Sequence, residues 1–224
     1  MDRWDTCACP RVDARALAGR ACRAGLDLST TTDLSALVLV FDDDDGGYTI
    51  LPFAFCPGET IEERQRRDRV DYVSWRENGH LIATEGNSID HLVIRRKILE
   101  LAEVYNIREL AFDRWNSSML INLLVNDGVT CVPVAQSNGA MNAPARELER
   151  VLAEQTLRHG GHPVLRWCAE NAVAHIDTSG DIRPSKSKSI ERIDLLVATL
   201  MGISRHLVAR WSEQAKGGTV AAIP

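Results

Sequence analysis

The stretch that most constrains the fold is Ala24-Gly25-Leu26-Asp27-Leu28-Ser29, separated by Thr30-Thr31-Thr32-Asp33 from the apolar run 34–41. Alternation with a period of two sets Leu26 and Leu28 on one face of a strand and Gly25, Asp27 and Ser29 on the other. The run that follows is apolar on both faces, as in a strand covered by a layer on each side. Asp27 therefore belongs to an interior strand. A carboxylate there is costly unless something positive holds it, and no Lys or Arg lies between Asp27 and Phe41. Its partner comes from far along the chain or is a metal ion. The alternative is a strand-end aspartate that reaches water.

A chain of 224 residues suits one full-sized domain with a sheet-based core. Hydrophobic residues at 45% and charged residues at 25% exclude disorder as the default state. The net charge of −5 does not advertise a nucleic-acid binder, so local basic clusters such as Arg95-Arg96-Lys97 and Lys186, Lys188 and Arg192 have to be weighed separately. Six cysteines form no CxxC pair, which reads as free thiols of a reducing compartment and argues against zinc. No apolar stretch reaches the length of a membrane span, and the N-terminus has neither a basic leader nor an apolar signal core. A soluble, intracellular protein is expected.

Residues 1–23 mix Cys, Pro, Arg and Asp without periodicity except for a helix-like turn at 13–17, and read as a connector. Strands are expected at 24–29, 35–41 and 48–55, an antiparallel meander whose second and third strands are joined by a turn at Asp42-Asp43-Asp44-Asp45-Gly46-Gly47. The four aspartates invite a metal-site reading, but strand residues and Gly-Gly bracket them as they would a solvated hairpin tip. A charged helix at 59–70 and an irregular segment with a turn at 72–84 follow. A helix at 88–105 is expected to pack through Ile89, Leu92, Val93, Leu99 and Val104. Then come a strand at 109–113, a helix at 116–126 and a strand at 129–134, an order that implies a parallel pair joined by a crossover. A helix at 144–157, an extended segment at 162–176, a turn at 177–181 and a helix from about 189 to 208 complete the chain.

Two further carboxylates stand out. Asp194 lies in the stripe Ile190, Ile193, Val197, Leu200 and Met201, at the spacing that turns it inward; as an early-turn acid it also suits the helix dipole. Asp113 closes a parallel strand, where open mixed sheets place their ligands, or else caps the next helix. Three acids on one sheet-and-helix frame repel one another unless cations sit between them, as in two-metal phosphodiester cleavage.

Four segments carry a resemblance: Ala24-Gly25-Leu26-Asp27-Leu28-Ser29-Thr30-Thr31-Thr32-Asp33-Leu34, Thr84-Glu85-Gly86-Asn87-Ser88-Ile89-Asp90, Phe112-Asp113-Arg114-Trp115-Asn116 and Lys188-Ser189-Ile190-Glu191-Arg192-Ile193-Asp194. In this order they resemble the nuclease part of tailed-phage terminase large subunits, from about Leu17 to Met201. The resemblance implies an α/β, ribonuclease H-like mixed sheet, an antiparallel meander followed by parallel crossover strands, flanked by helices. It implies a metal-dependent endonuclease that cuts concatemeric viral DNA during genome packaging, with two Mg²⁺ or Mn²⁺ ions on Asp27, Asp113 and Asp194. Glu191, one helical turn before Asp194, lends a further carboxylate directly or through water. Lys188, Lys186 and Arg192 are the candidate DNA contacts, or solvated residues at a helix start. Asp33 and Asp90 take structural or supporting roles.

The implied partners are double-stranded DNA and, in the full system, an ATPase motor, a small terminase subunit and a portal, with no membrane, in the host cytoplasm. The chain has no G-x-x-x-x-G-K-[ST], so motor activity is not expected of it. The implied division is a connector at 1–23 from a missing N-terminal ATPase region, a nuclease domain at 24–210 and a C-terminal tail at 211–224.

Three rival readings remain. Gly25-Leu26-Asp27-Leu28-Ser29-Thr30-Thr31 also resembles the phosphate-binding turn of actin-like sugar or acetate kinases, but Ser29 stands where that turn wants Gly and the chain is short for two such domains. Another ribonuclease H-like nuclease, of resolvase or transposase type, would keep the same chemistry. A non-catalytic packaging-assembly module would keep the fold, but has no reason to retain three crowded acids.

Overall fold

The computed structural model describes residues 1–8, 11–29, 34–114, 117–178, 180–184, 189 and 192–217. Its strands are β1 (Ala21–Asp27), β2 (Ser35–Asp42), β3 (Tyr48–Pro57), β4 (Ile82–Thr84), β5 (Asn106–Phe112), β6 (Cys131–Pro133), β7 (Leu157–Arg158), β8 (Ala174–Ile176) and β9 (Ile182–Pro184). The helices are α1 (Asp2–Thr6), α2 (Ile61–Asp68), α3 (Tyr72–Glu77), α4 (His91–Val104), α5 (Ser118–Asn126), α6 (Asn138–Ala153), α7 (Pro163–Asn171) and α8 (Asp194–Gly217).

The main sheet runs in the order β4-β3-β2-β1-β5-β6, with β7 beside β3. β1, β2 and β3 form the expected antiparallel meander, and β5 and β6 add on the other side in parallel through crossovers containing α4 and α5. The order has β1 in the interior because its alternating face must be covered twice. One core layer, with Ala36, Val38 and Val40 from β2, packs under α6, α7 and α8. The opposite layer, with Ala24, Leu26, Leu37 and Leu39, packs under α4 and α5. Each fully buried Leu or Ile contributes about 1.5–3 kcal/mol, so two continuous layers of them hold the sheet between its helices.

Several elements differ from the expectations. Over 162–176 the chain forms α7 rather than an extended segment: Pro163 occupies the first helical turn, where its missing N–H costs nothing, and His162 Nδ1 caps by accepting from Leu165 N at 3.4 Å. α6 starts at Asn138, six residues before Pro144, with Ser137 Oγ capping it. The proline is carried inside the helix because Met141, Pro144, Ala145, Leu148 and Val151 are buried together. α4 packs through Ile94, Ile98 and Leu101, whereas Leu92 and Val104 face outward. Ile89, just before the helix, is buried in the same layer and Val93 packs against it, so the expected stripe holds in part, while Asp90 caps the helix through Leu92 N at 2.8 Å. The segment at 72–84 is α3 followed by β4.

Residues 1–23 hold more structure than a connector needs. Trp4 of α1 is buried and stacks on His159 with ring centroids 4.4 Å apart, and β1 already begins at Ala21. At the other end, α8 continues past residue 210 to Gly217. The aspartate-rich hairpin is a turn, as expected, but arginines hold it. Arg20 and Arg158 each reach Asp43 at 3.0 Å, Arg158 reaches Asp45 at 2.5 Å, and Arg210 pairs with Asp42. Burial would raise the Asp42 pKa, but hydrogen bonds from His206 and Arg210 outweigh it and hold the carboxyl at about 2.

Candidate metal centre

Glycine sets the geometry of the site. A Cβ on Gly25 would stand 1.9 Å from the Ala198 carbonyl oxygen, and one on Gly202 would stand 2.5 Å from Val40 Cγ2 and 3.4 Å from Arg23 O. Helix α8 therefore lies directly on β1, with Gly202 over Arg23 and Ala198 over Gly25. Two strand residues advance about 6.6 Å and four helical residues about 6 Å, so the two elements stay in step. One more step along each brings Asp27 and Asp194 opposite one another. Asp194 is the first residue of α8 and Asp27 the last of β1. Both are buried, at 8% and 2% exposure.

Asp113 joins them from the neighbouring strand. β1 and β5 are parallel, with Arg23 beside Glu109, Gly25 beside Ala111 and Leu26 beside Phe112. The next pair in that register is Asp27 beside Asp113. Registered residues of parallel strands share a face, and Glu109 confirms which one, since it accepts from Arg205 of α8 at 2.7 Å. The helix-cap alternative for Asp113 does not hold: the N-cap of α5 is Ser117, whose Oγ donates to the Asp113 carbonyl at 2.6 Å.

A fourth residue at this edge is not evident from the sequence. Gln136, three residues beyond β6, donates from Nε2 to Asp27 Oδ1 at 3.0 Å. The C-terminal ends of three neighbouring parallel-registered strands, β1, β5 and β6, thus bring Asp27, Asp113 and Gln136 to one side. The rule that selects Asp113 from the end of its strand would have selected Gln136 as well.

Cys168 of α7 lies in the floor. Burial first, then the charges of Asp194 and Asp27, push its thiol pKa far up, so it stays protonated. The shared influence of both carboxylates on one sulfur agrees with the strand–helix register. Among the described residues no three His, Cys, Asp or Glu side chains already stand together as an ion cage. The three aspartates share an edge, and the donor set they offer is carboxylate oxygen, which suits Mg²⁺ or Mn²⁺ rather than zinc. The described cysteines are free thiols, four of them buried.

Of the other candidate residues, Lys186, Lys188, Glu191 and Asp33 lie outside the described residues, as does Ile190 of the expected stripe. Arg192 is half-buried and its charge helps hold down the pKa of Asp68, which otherwise answers first to burial and to Arg67 and Tyr72. Asp90 caps α4 and has the structural role expected of it. In the Arg95-Arg96-Lys97 cluster, Arg95 is engaged bidentately by Asp127 at 2.6 Å and Lys97 lies 3.3 Å from Glu100. Among the described residues, no helix is long and apolar enough to cross a membrane.

Over residues 1–210 the chain matches the endonuclease domain of terminase large subunits. It is 37% identical over 182 residues to the large terminase subunit of Enterobacteria phage HK97, covering 80% of this chain and 36% of that protein. The crystal structure of the HK97 large terminase superposes at a TM-score of 0.83 with 34% identity, over 91% of this chain and 42% of that one. The large terminase nuclease of thermophilic phage G20c, solved with bound magnesium, shares the fold at a TM-score of 0.58 and 12% identity, over 91% of this chain and 95% of that one. The chain spans less than half the length of the HK97 protein. The mixed sheet and its flanking helices are those of the ribonuclease H-like terminase nucleases, and the chain belongs to the terminase large subunit endonuclease domain family.

Proposed function

We propose that the chain is the nuclease of a phage or prophage packaging enzyme, a metal-dependent endonuclease that cuts concatemeric double-stranded DNA by two-metal-ion hydrolysis. The observation that carries this is the register of β1 against α8 and β5, which sets Asp27 opposite Asp194 and beside Asp113. Two buried like charges and a third beside them repel one another, and cations between them relieve that repulsion.

Asp27, Asp113 and Asp194 would hold two divalent ions, Mg²⁺ or Mn²⁺, with Glu191 as a further carboxylate. Bound there, such ions would supply an activated water and a counter-charge for the leaving 3′ oxygen. The chain's own residues do the positioning. Gln136 donates to one oxygen of Asp27 and so orients that carboxylate. The neutral Cys168 thiol fills the floor without competing as a ligand. Lys186, Lys188 and Arg192 contact the DNA backbone, so affinity falls steeply with salt. The bound magnesium of the G20c nuclease supports the choice of ion by fold alone.

In the full system the chain follows an ATPase motor, with the residues before β1 leading from it and packing on the nuclease through Trp4, and with α8 carrying the nuclease past residue 210. The motor, a small terminase subunit and a portal are its partners, and the host cytoplasm is where it works. The test is incubation of supercoiled plasmid with the folded protein across Mg²⁺ and Mn²⁺ titrations. Nicking and linearisation that need the ion are expected, and intact plasmid throughout would exclude catalysis by this chain.

A further inference from the structure

The outer edge of β3 is paired only in part: β7 takes Tyr48 and Thr49, and β4 takes Phe55 to Pro57. Between them, beside residues 50–53, lies a cleft of about 790 Å³. Its wall carries Arg11, His80, Lys97, His159 and His162, and no carboxylate is among its described lining residues. Residues 50–53 give it an apolar floor. β3 stands two strands away from β1, so the cleft is separate from the aspartate edge by roughly 10 Å or more of sheet.

The hydrogen bonds assign the imidazoles. His159 Nε2 donates to the Trp4 carbonyl at 2.8 Å while its Nδ1 accepts from Gly161 N at 3.3 Å, so this ring is fully used in structure. His162 Nδ1 accepts from Leu165 N, which leaves Nε2–H of the neutral ring as a donor. His162 meets His80 edge-on with ring centroids 5.0 Å apart. Burial and the Arg11 charge lower the His80 pKa, and burial, then His80 and His159, bring His162 to about 4. Both rings are therefore neutral near pH 7, and the positive charge comes from Arg11 and Lys97. Lys97 lies over the Phe53 ring at 5.5 Å, with Glu100 at the exposed rim as its partner. The N-terminus of α7, nine residues long, points its partial positive charge to the same loop.

We propose that this cleft binds a phosphate-bearing ligand of nucleotide size, its phosphates held by Arg11, Lys97 and His162 Nε2–H and its apolar part laid on residues 50–53. Among the described residues no carboxylate lines the cleft itself, and the carboxylate on Lys97 is Glu100 at the exposed rim, where a surface ion pair is weak and a phosphate can displace it. Guanidinium and ammonium together suit phosphate. A concave cleft with an apolar floor and few polar groups encloses a small molecule rather than tracking a duplex, and the volume is in the range of such sites.

The test is titration of the full chain with ADP, with pyrophosphate and with a short DNA duplex, followed by calorimetry and by amide NMR shifts. ADP should bind saturably, shift the Gly160 and Gly161 amides, and bind more tightly than pyrophosphate. Arg11→Gln and Lys97→Gln should each weaken it by roughly tenfold or more, with circular dichroism and melting unchanged, while Arg146→Gln on α6 should leave it unaffected. No saturable ADP binding at millimolar concentration, or binding that survives both cleft substitutions, overturns the proposal. So does binding of the duplex alone that weakens in both variants, which would assign the cleft to a nucleic-acid backbone.

Discussion

Gly25 of β1 and Ala198 of α8 touch backbone to backbone, so closely that a single methyl group on Gly25 would overlap the Ala198 carbonyl. This contact holds the N-terminal part of α8 against β1, one helical turn beyond Asp194 and two residues before Asp27, and the register continued from it brings Asp194 opposite Asp27. Gly25→Ala must push the helix off the strand. We expect a loss of about 3 kcal/mol or more and, under conditions where the variant still folds, loss of plasmid cleavage. Urea unfolding and a cleavage assay on the same preparation check both. Wild-type stability in Gly25→Ala would mean that the helix does not lie where the register puts it.

Asp194→Asn removes one of the crowded charges. Cleavage should disappear, the melting temperature without metal should stay or rise, and the stabilisation given by Mn²⁺ should shrink. A purely helix-capping Asp194 predicts the reverse: retained cleavage with a loss of up to about 1 kcal/mol. Melting with and without Mn²⁺, beside a plasmid assay, separates the two.

Gln136→Leu keeps the bulk of the side chain and removes the amide that orients Asp27. Metal-dependent activity should fall roughly 10- to 100-fold, as for other residues that orient a ligand, with the metal concentration for half-maximal rate raised. Fold stability should change by only about 1 kcal/mol. Unchanged metal dependence would restrict Gln136 to packing.

His162 predicts an acid-side loss of stability. Its folded pKa of about 4 lies below the ordinary imidazole value of 6.5, so the unfolded chain binds the proton more readily. Its contribution is therefore complete above about pH 6.5 and is lost as pH falls towards 4, by about 3 kcal/mol at most. His162→Asn keeps a capping acceptor for α7 and should flatten the stability curve between pH 6.5 and 4 relative to the wild type. Parallel curves for the two proteins, measured by urea unfolding, would remove His162 from the acid response.

What the sequence by itself determined is what local pattern and chain order can carry. Alternation around Gly25 and Asp27 and the apolar run after them specified an interior strand and its meander, because a strand buried on both faces leaves no other pattern. The strand-helix-strand order from Asn106 to Pro133 specified parallel crossovers. The motifs holding Asp27, Asp113 and Asp194 specified the family. Local pattern misassigned α7, where Pro163 starts a helix in what reads as an extended segment, and part of the face of α4, where Ile89 and Val93 pack as expected but Leu92 and Val104 are exposed and burial chose Ile94, Ile98 and Leu101. Only the tertiary structure decided that Asp194 faces Asp27, since that depends on two glycines in distant elements letting backbones meet. It also brought Gln136 to Asp27 across 109 residues of chain, and lined one cleft with Arg11, Lys97 and His162. A single polar side chain carries no periodicity, so its partner is set by how the strands and helices pack and not by its neighbours in the chain.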